Sequence, residues 1–169
     1  MHAKDILVDA YGRIREEVHA AVDGLSPGDL NTRIDDRTNS ISWLVWHLTR
    51  VQDDHVADAF GLKQVWLSQD WPDRFALGLP GRDTGYGHTP RQVAKVQVDS
   101  GDLLLGYYDA VHEQTLAALR DLRADDLDRI VDENWSPPVT LGARLVSVLS
   151  DDLQHVGQAG FARGIVEGR

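Results

Sequence analysis

The sequence predicts an all-α protein, a four-helix bundle with a long crossover connection between its second and third helices. Three observations predict it. Four segments carry apolar residues at the three-and-four spacing of an amphipathic helix. No alternating run of β-branched residues is long enough to argue for a sheet. One stretch between the second and third periodic segments is broken by proline and glycine throughout. A chain of 169 residues, 42% of them hydrophobic, can bury a core without covalent staples, and it reads as a single domain over 1–169.

The first helix is predicted from Ala3 to Leu25, with Ile6, Leu7, Ala10, Ile14, Val18 and Val22 on its apolar face. Gly24 and the Ser26-Pro27-Gly28 cluster stop it. The second runs from Ser40 to Phe60, where Asn39 or Ser40 can cap the first amides and Gly61 follows the end. From Leu62 to Asp99 the chain holds Trp66, Trp71-Pro72, Pro80-Gly81, Gly85-Tyr86-Gly87 and Thr89-Pro90. It is expected to be a connection with short helical pieces, packed across an opening because its aromatics need burial. The third helix spans Ser100 to Leu122, with Leu103, Tyr107, Val111, Leu116 and Leu119 on one face and Leu104 and Tyr108 broadening it. After a polar link and a loop with Trp135 and Pro137-Pro138, Thr140 can cap a fourth helix, Leu141 to Ile165, whose stripe is Leu141, Leu145, Val148, Leu149 and Val156.

Composition removes several classes of function. The formal charge is −10 and no basic stripe offsets it, so the surface repels a phosphate backbone and nucleic acid is not an expected partner. No apolar run reaches the ~20 residues that cross a bilayer, and MHAKDILVDAYGR lacks the layout of a signal peptide. No membrane association is expected, and the cytoplasm is the expected location. There are no cysteines, so the chain supplies neither a thiolate ligand nor a thiol nucleophile.

The chemistry-bearing residues fall on the second and fourth helices. In ISWLVWHLTRVQDDH, Leu44 and Val51 flank His47 at three before and four after, which puts its imidazole on or beside the buried face. A histidine there is, on its own, more often a hydrogen-bonded core residue than a ligand. In VSVLSDDLQHVGQ, Asp151 and His155 are four apart and point from one flank of the helix to a common spot, the way helices present paired metal ligands. At ~100° per residue, Asp152 falls near the centre of the apolar stripe, where a carboxylate is costly unless paired or bound to a cation. Spacing favours Asp151 as the carboxylate ligand and burial favours Asp152. Asp54 and His55 can line a pocket beside His47, and Trp43, one turn earlier, can wall it. His19, His88 and His112 have no companion in sequence, and Trp66, Trp71 and Trp135 read as core and loop anchors.

SWLVWHLTRVQDD resembles the second-helix motif of the DinB/YfiT-like metal-binding proteins, and especially that of the N-terminal domain of mycothiol-dependent maleylpyruvate isomerases. SDDLQHVGQAGFARG resembles the final-helix motif of the same family, where a Glu or His stands four before a His. The resemblance implies an up-down-down-up bundle holding one divalent metal, zinc or alternatively nickel, on His47, Asp151 and His155. Two departures bear on that set. Aspartate at 151 is shorter than Glu by one methylene, and Gln158 stands where some relatives have a second histidine. The resemblance further implies a metal-dependent thiol transferase or isomerase that brings a low-molecular-weight thiol such as mycothiol to a small electrophilic substrate, with a homodimer as a possible assembly. The isomerases carry a further C-terminal domain with no counterpart after the fourth helix, so their particular reaction is not inherited. The alternatives are a metal-dependent hydrolase of small molecules and a non-catalytic helical stress or binding protein with a structural or vestigial metal.

Overall fold

The computed structural model describes residues 2–168 and contains eight α-helices: α1 (Ala3–Val22), α2 (Pro27–Asn31), α3 (Ile41–Phe60), α4 (Val65–Ser68), α5 (Trp71–Phe75), α6 (Pro90–Val93), α7 (Gly101–Leu119) and α8 (Leu141–Val166). A 3-10 turn (Ala124–Asp128) and a minimal antiparallel pair, β1 (Ile130–Asp132) and β2 (Val139–Thr140), join α7 to α8. Three of the four long helices start where a side chain satisfies a free amide. Ser40 Oγ accepts from Trp43 N at 3.1 Å, Ser100 Oγ from Asp102 N at 3.1 Å and Thr140 Oγ from Ala143 N at 3.2 Å. Gly61, at φ +65°, closes α3 in the left-handed conformation that glycine adopts without cost.

The directions of the helices follow from their cross-links. Lys4 Nζ donates to the Arg120 carbonyl and Arg15 pairs with Asp109, so α1 and α7 are antiparallel. Arg163, late in α8, donates to Ala20 O near the end of α1, whereas Tyr11 lies by Asp152, so α1 and α8 run together. Arg50 reaches Tyr107 and Gln52 reaches Thr115, making α3 and α7 parallel. His55 meets Arg144, whereas His47 meets Asp151, making α3 and α8 antiparallel. The topology is up-down-down-up, and α1 and α3 each pack on both α7 and α8.

Parallel neighbours cannot be joined by a tight turn. After about 30 Å of α3 the chain must return along the bundle before starting α7, which is why residues 61–100 form a long crossover. It is packed, not slack: Val65, Trp66, Trp71, Phe75, Val93, Val96 and Val98 are buried in the common core. One buried polar cluster fastens it. Asp53 of α3 accepts from the amides of Val65 and Trp66 at 2.8 and 2.7 Å and from Tyr107 Oη at 2.9 Å. Arg50, fully buried, lies 3.5 Å from Asp53 and donates to Gln64, to Tyr107 and to the Asp83 carbonyl.

The sequence-based expectations meet this structure with several corrections. The first helix ends at Val22 instead of Leu25, and Ile6, assigned to its apolar face, is 57% exposed, whereas Tyr11 is buried. Leu103 and Leu116 are only partly buried, with Leu104, Tyr107, Tyr108 and Val111 forming the inner face of α7. Trp135 is 67% exposed and so is no anchor. The β1–β2 pair and α2 are too short to leave a periodic signal. Among the described residues, no helix is long and apolar enough to cross a membrane.

Removing one partner of the buried pair leaves the other charge and two amides unsatisfied. Asp53→Ala is expected to lower unfolding stability by about 3–5 kcal/mol in urea titrations; a loss below about 1 kcal/mol would show that the cluster does not hold the crossover.

Candidate metal centre

His47 sits in the second turn of α3, and Asp151 and His155 sit one turn apart in α8. Because the two helices are antiparallel, the early part of one meets the middle of the other. His47 Nε2 lies 4.0 Å from Asp151 Oδ2, and His155 Nε2 lies 3.6 Å from Asp151 Oδ1. One donor atom from each of the three residues lies within 4.8 Å of the others. Two ligands about 2.1 Å from a common ion at a tetrahedral angle stand about 3.4 Å apart, so the observed separations are slightly wider than a closed shell.

Both imidazoles present the nitrogen a cation needs. His47 Nδ1 is 2.5 Å from the Thr84 carbonyl, which can only accept, so Nδ1 carries the proton and Nε2 keeps its lone pair. His155 Nδ1 donates to Gln158 Oε1 at 3.1 Å, with the same result. Gln158, where a second histidine was a family alternative, therefore orients the His155 ring. Asp151 Oδ2 is sealed from solvent with no hydrogen-bond partner among the described residues. A carboxylate oxygen in that condition is costly unless a cation completes it, and two neutral imidazoles with one carboxylate are a donor set that suits zinc or a similar divalent ion.

The electrostatics agree with a shared site. Burial pushes the His47 pKa down, and it stays down despite the Thr84 carbonyl. Burial opposes charge on both Asp151 and His155, yet each is offset by the other: the carboxylate is held below its ordinary range and the imidazole raised above its own. Trp43 stacks flat on His47 with centroids 4.5 Å apart and meets His155 edge-on at 6.1 Å, so it walls the site.

Asp152 is fully buried but faces away from this group, toward Tyr11 of α1 and Tyr108 of α7. Burial and the neighbouring Asp151 both push its pKa well above the ordinary carboxylate value. The wheel position that made it a candidate is real, and the residue brought to the imidazoles is Asp151. Its shorter side chain still reaches both.

The crossover supplies the remaining wall, through residues that no spacing rule connects to His47. His88, which has no companion in sequence, accepts from Trp43 Nε1 at Nδ1 (3.1 Å), so its Nε2–H donates to Asp83 at 2.9 Å. Asp83 also accepts from the Gly85 amide at 2.9 Å. Gly85 has φ +90°, and a Cβ there would stand 2.7 Å from His47 Nδ1 and 3.0 Å from the Trp46 ring. The Gly-Tyr-Gly run was the one visible trace of this close approach. His19 pairs with Asp109 at 3.0 Å on another face, and His112 is buried in α7.

Beside the three donors opens a cavity of about 550 Å³, lined by His47 and Asp151, by Asp54 and His55, and by Thr84 and Tyr86 of the crossover. Asp54 and His55, both expected to be able to line a pocket beside His47, are on this wall, and Arg144 and Trp135 complete it.

Gly85→Ala both strains the loop and pushes on the His47 ring. It is expected to weaken zinc binding by about 10–100-fold in calorimetric titrations while the helical circular dichroism is retained; unchanged affinity would mean that the loop does not position His47.

Comparison with known proteins agrees with this architecture. The model of the DinB superfamily matches residues 10–159. The crystal structure of a conserved protein from Enterococcus faecalis superposes with a TM-score of 0.93 at 32% identity, covering 100% of this chain and 99% of that one. No functionally curated protein matches the chain. A family match over most of the sequence, together with the up-down-down-up bundle, assigns the chain to the DinB superfamily.

Proposed function

We propose that His47, Asp151 and His155 hold one divalent cation, zinc or alternatively nickel, and that the centre serves transfer of a low-molecular-weight thiol such as mycothiol to a small electrophile. The observation that carries this reading is the sealed, unpartnered Asp151 oxygen set between two imidazoles whose Nδ1 atoms are already spent, at the edge of a cavity of ligand size. A cation bound there lowers the pKa of a coordinated thiol or water.

The chain's own residues have separate tasks. His47 and His155 offer Nε2 lone pairs, Asp151 supplies the one negative charge, and Thr84, Gln158 and Trp43 hold the rings in place. With no cysteine in the chain, any thiol must come from outside, and the cavity is the space for it and its acceptor. Hydrolysis is the second reading. It calls for a base beside the reacting water; His55 already accepts from Arg144 at Nδ1, and Asp54 is the lining carboxylate outside the proposed ligand set that could serve. A purely structural ion would not need an adjoining cavity.

Protein purified without chelators is expected to contain about one zinc or nickel per chain by elemental analysis. His47→Ala and His155→Ala are expected to lose metal by more than the roughly 10–100-fold that outer partners carry, and to lose mycothiol conjugation of monochlorobimane with it. Stoichiometric metal and full conjugation in both variants would contradict the assignment.

A further inference from the structure

The cavity wall contributed by the end of α3 and the start of α8 is chemically unlike the metal side. Arg144 Nη1 donates to His55 Nδ1 at 2.6 Å, and Nη2 donates to Asp132 of β1 at 2.9 Å. A guanidinium has donors and no acceptor, so His55 Nδ1 must carry the lone pair and the ring proton must be on Nε2. Burial and the adjacent Arg144 charge lower the His55 pKa against the opposing pull of Asp54, Asp151 and Asp58, the same direction as the single ring proton that the Arg144 contact implies. Among the described residues the His55 Nε2 has no hydrogen-bond partner and it is not sealed, while the ring lines the cavity. The tautomer is thus fixed by a residue outside the metal site, and it offers a single N–H donor.

The charges around this donor decide what it can meet. Asp54 and Asp151 are on the cavity lining, and the Arg144 cation is already paired with Asp132. A carboxylate entering along this wall meets Asp54 with no free cation from Arg144, and in the metal-free chain it meets Asp151 as well. An uncharged acceptor faces no such penalty. The rest of the wall suits a flat apolar body: Val51 and Val148 form its floor, and Tyr86 and Trp135 stand 91% and 67% exposed beside it, although Trp43, Trp46, Trp66 and Trp71 are all buried. Large rings left in water at a cavity mouth are stacking surfaces.

We propose that the cavity takes an uncharged, planar carbonyl compound, a conjugated or aromatic ketone, aldehyde or quinone, whose oxygen accepts a hydrogen bond from His55 Nε2–H, and that it discriminates against carboxylates of the same shape. The inference deepens the thiol-transfer reading by naming the class of electrophile, and it rests on the cavity being the substrate side of that centre. A hydrogen bond to the carbonyl oxygen draws electron density away from the conjugated carbon, which is the direction that favours attack by a thiolate. His55 is then a specificity residue that touches substrate, with Arg144 a positioning residue that sets its tautomer.

Acetophenone and benzoate share ring and size and differ in charge, which makes them the probe pair. Each is titrated into the chelator-treated and the zinc-loaded chain and followed by tryptophan fluorescence, with zinc stoichiometry measured on the same samples. In metal-free protein, acetophenone is expected to bind at least about tenfold more tightly than benzoate. His55→Phe is expected to lose roughly tenfold in acetophenone affinity, and His55→Gln, which keeps an N–H donor, to recover most of it. Zinc stoichiometry is expected to be the same in all three. Benzoate binding the metal-free chain as tightly as acetophenone, absence of acetophenone binding, or a His55→Phe variant with undiminished affinity would overturn the inference. Loss of zinc binding with the His55-dependent preference intact would instead count against the metal reading alone.

Discussion

The hydrogen bond from His47 Nδ1 to the Thr84 carbonyl joins the two halves of this molecule's logic. It fixes the proton of one proposed ligand, and it does so with backbone from a segment 37 residues away. That contact requires the crossover to arrive at one position, and the position is enforced at several levels. Arg50 and Asp53 anchor the crossover's start and its Asp83 carbonyl to α3, His88 and Asp83 lock the turn around Gly85, and Gly85 lets the backbone approach the ring closely. The long connection is thus part of the candidate centre. Its cause is topological, since two parallel helices in sequence cannot be joined by a short turn.

The bundle itself was legible in the sequence because helices write their burial at a period of 3.6 and mark their ends with Ser, Thr and Gly. Ser40, Ser100, Thr140 and Gly61 do so here. What period alone leaves open is depth. Ile6 satisfies the spacing yet lies at the rim, and Asp151 and Asp152, adjacent in sequence, are about 100° apart on the wheel and so face different helices. The four-residue step from Asp151 to His155 was readable, because both proposed ligands are on one helix. That His47 lies opposite them came from resemblance, because no local rule pairs α3 with α8.

The rest of the centre was hidden for a different reason. His88, Thr84, Gly85 and Arg144 act through contacts between segments distant in the chain, and nothing in their neighbours announces the partner. Arg144 reads as an ordinary polar residue in a helix's first turn, yet it reaches across to α3 and decides which nitrogen of His55 bears the proton. Trp135 and Tyr86 mislead in the opposite way: aromatic residues are expected inside, and these two remain exposed beside the cavity. The cavity therefore has one wall of metal-type donors and another of a single fixed N–H with exposed rings, a division that suits two reactants better than one.

The central claim is that two antiparallel helices bring three side chains to one cation. A zinc-loaded crystal with data collected on both sides of the zinc absorption edge tests it directly. One anomalous peak is expected about 2.0–2.2 Å from His47 Nε2, His155 Nε2 and an Asp151 oxygen. A peak elsewhere on the chain, or one that leaves any of those three side chains uncoordinated, would contradict it.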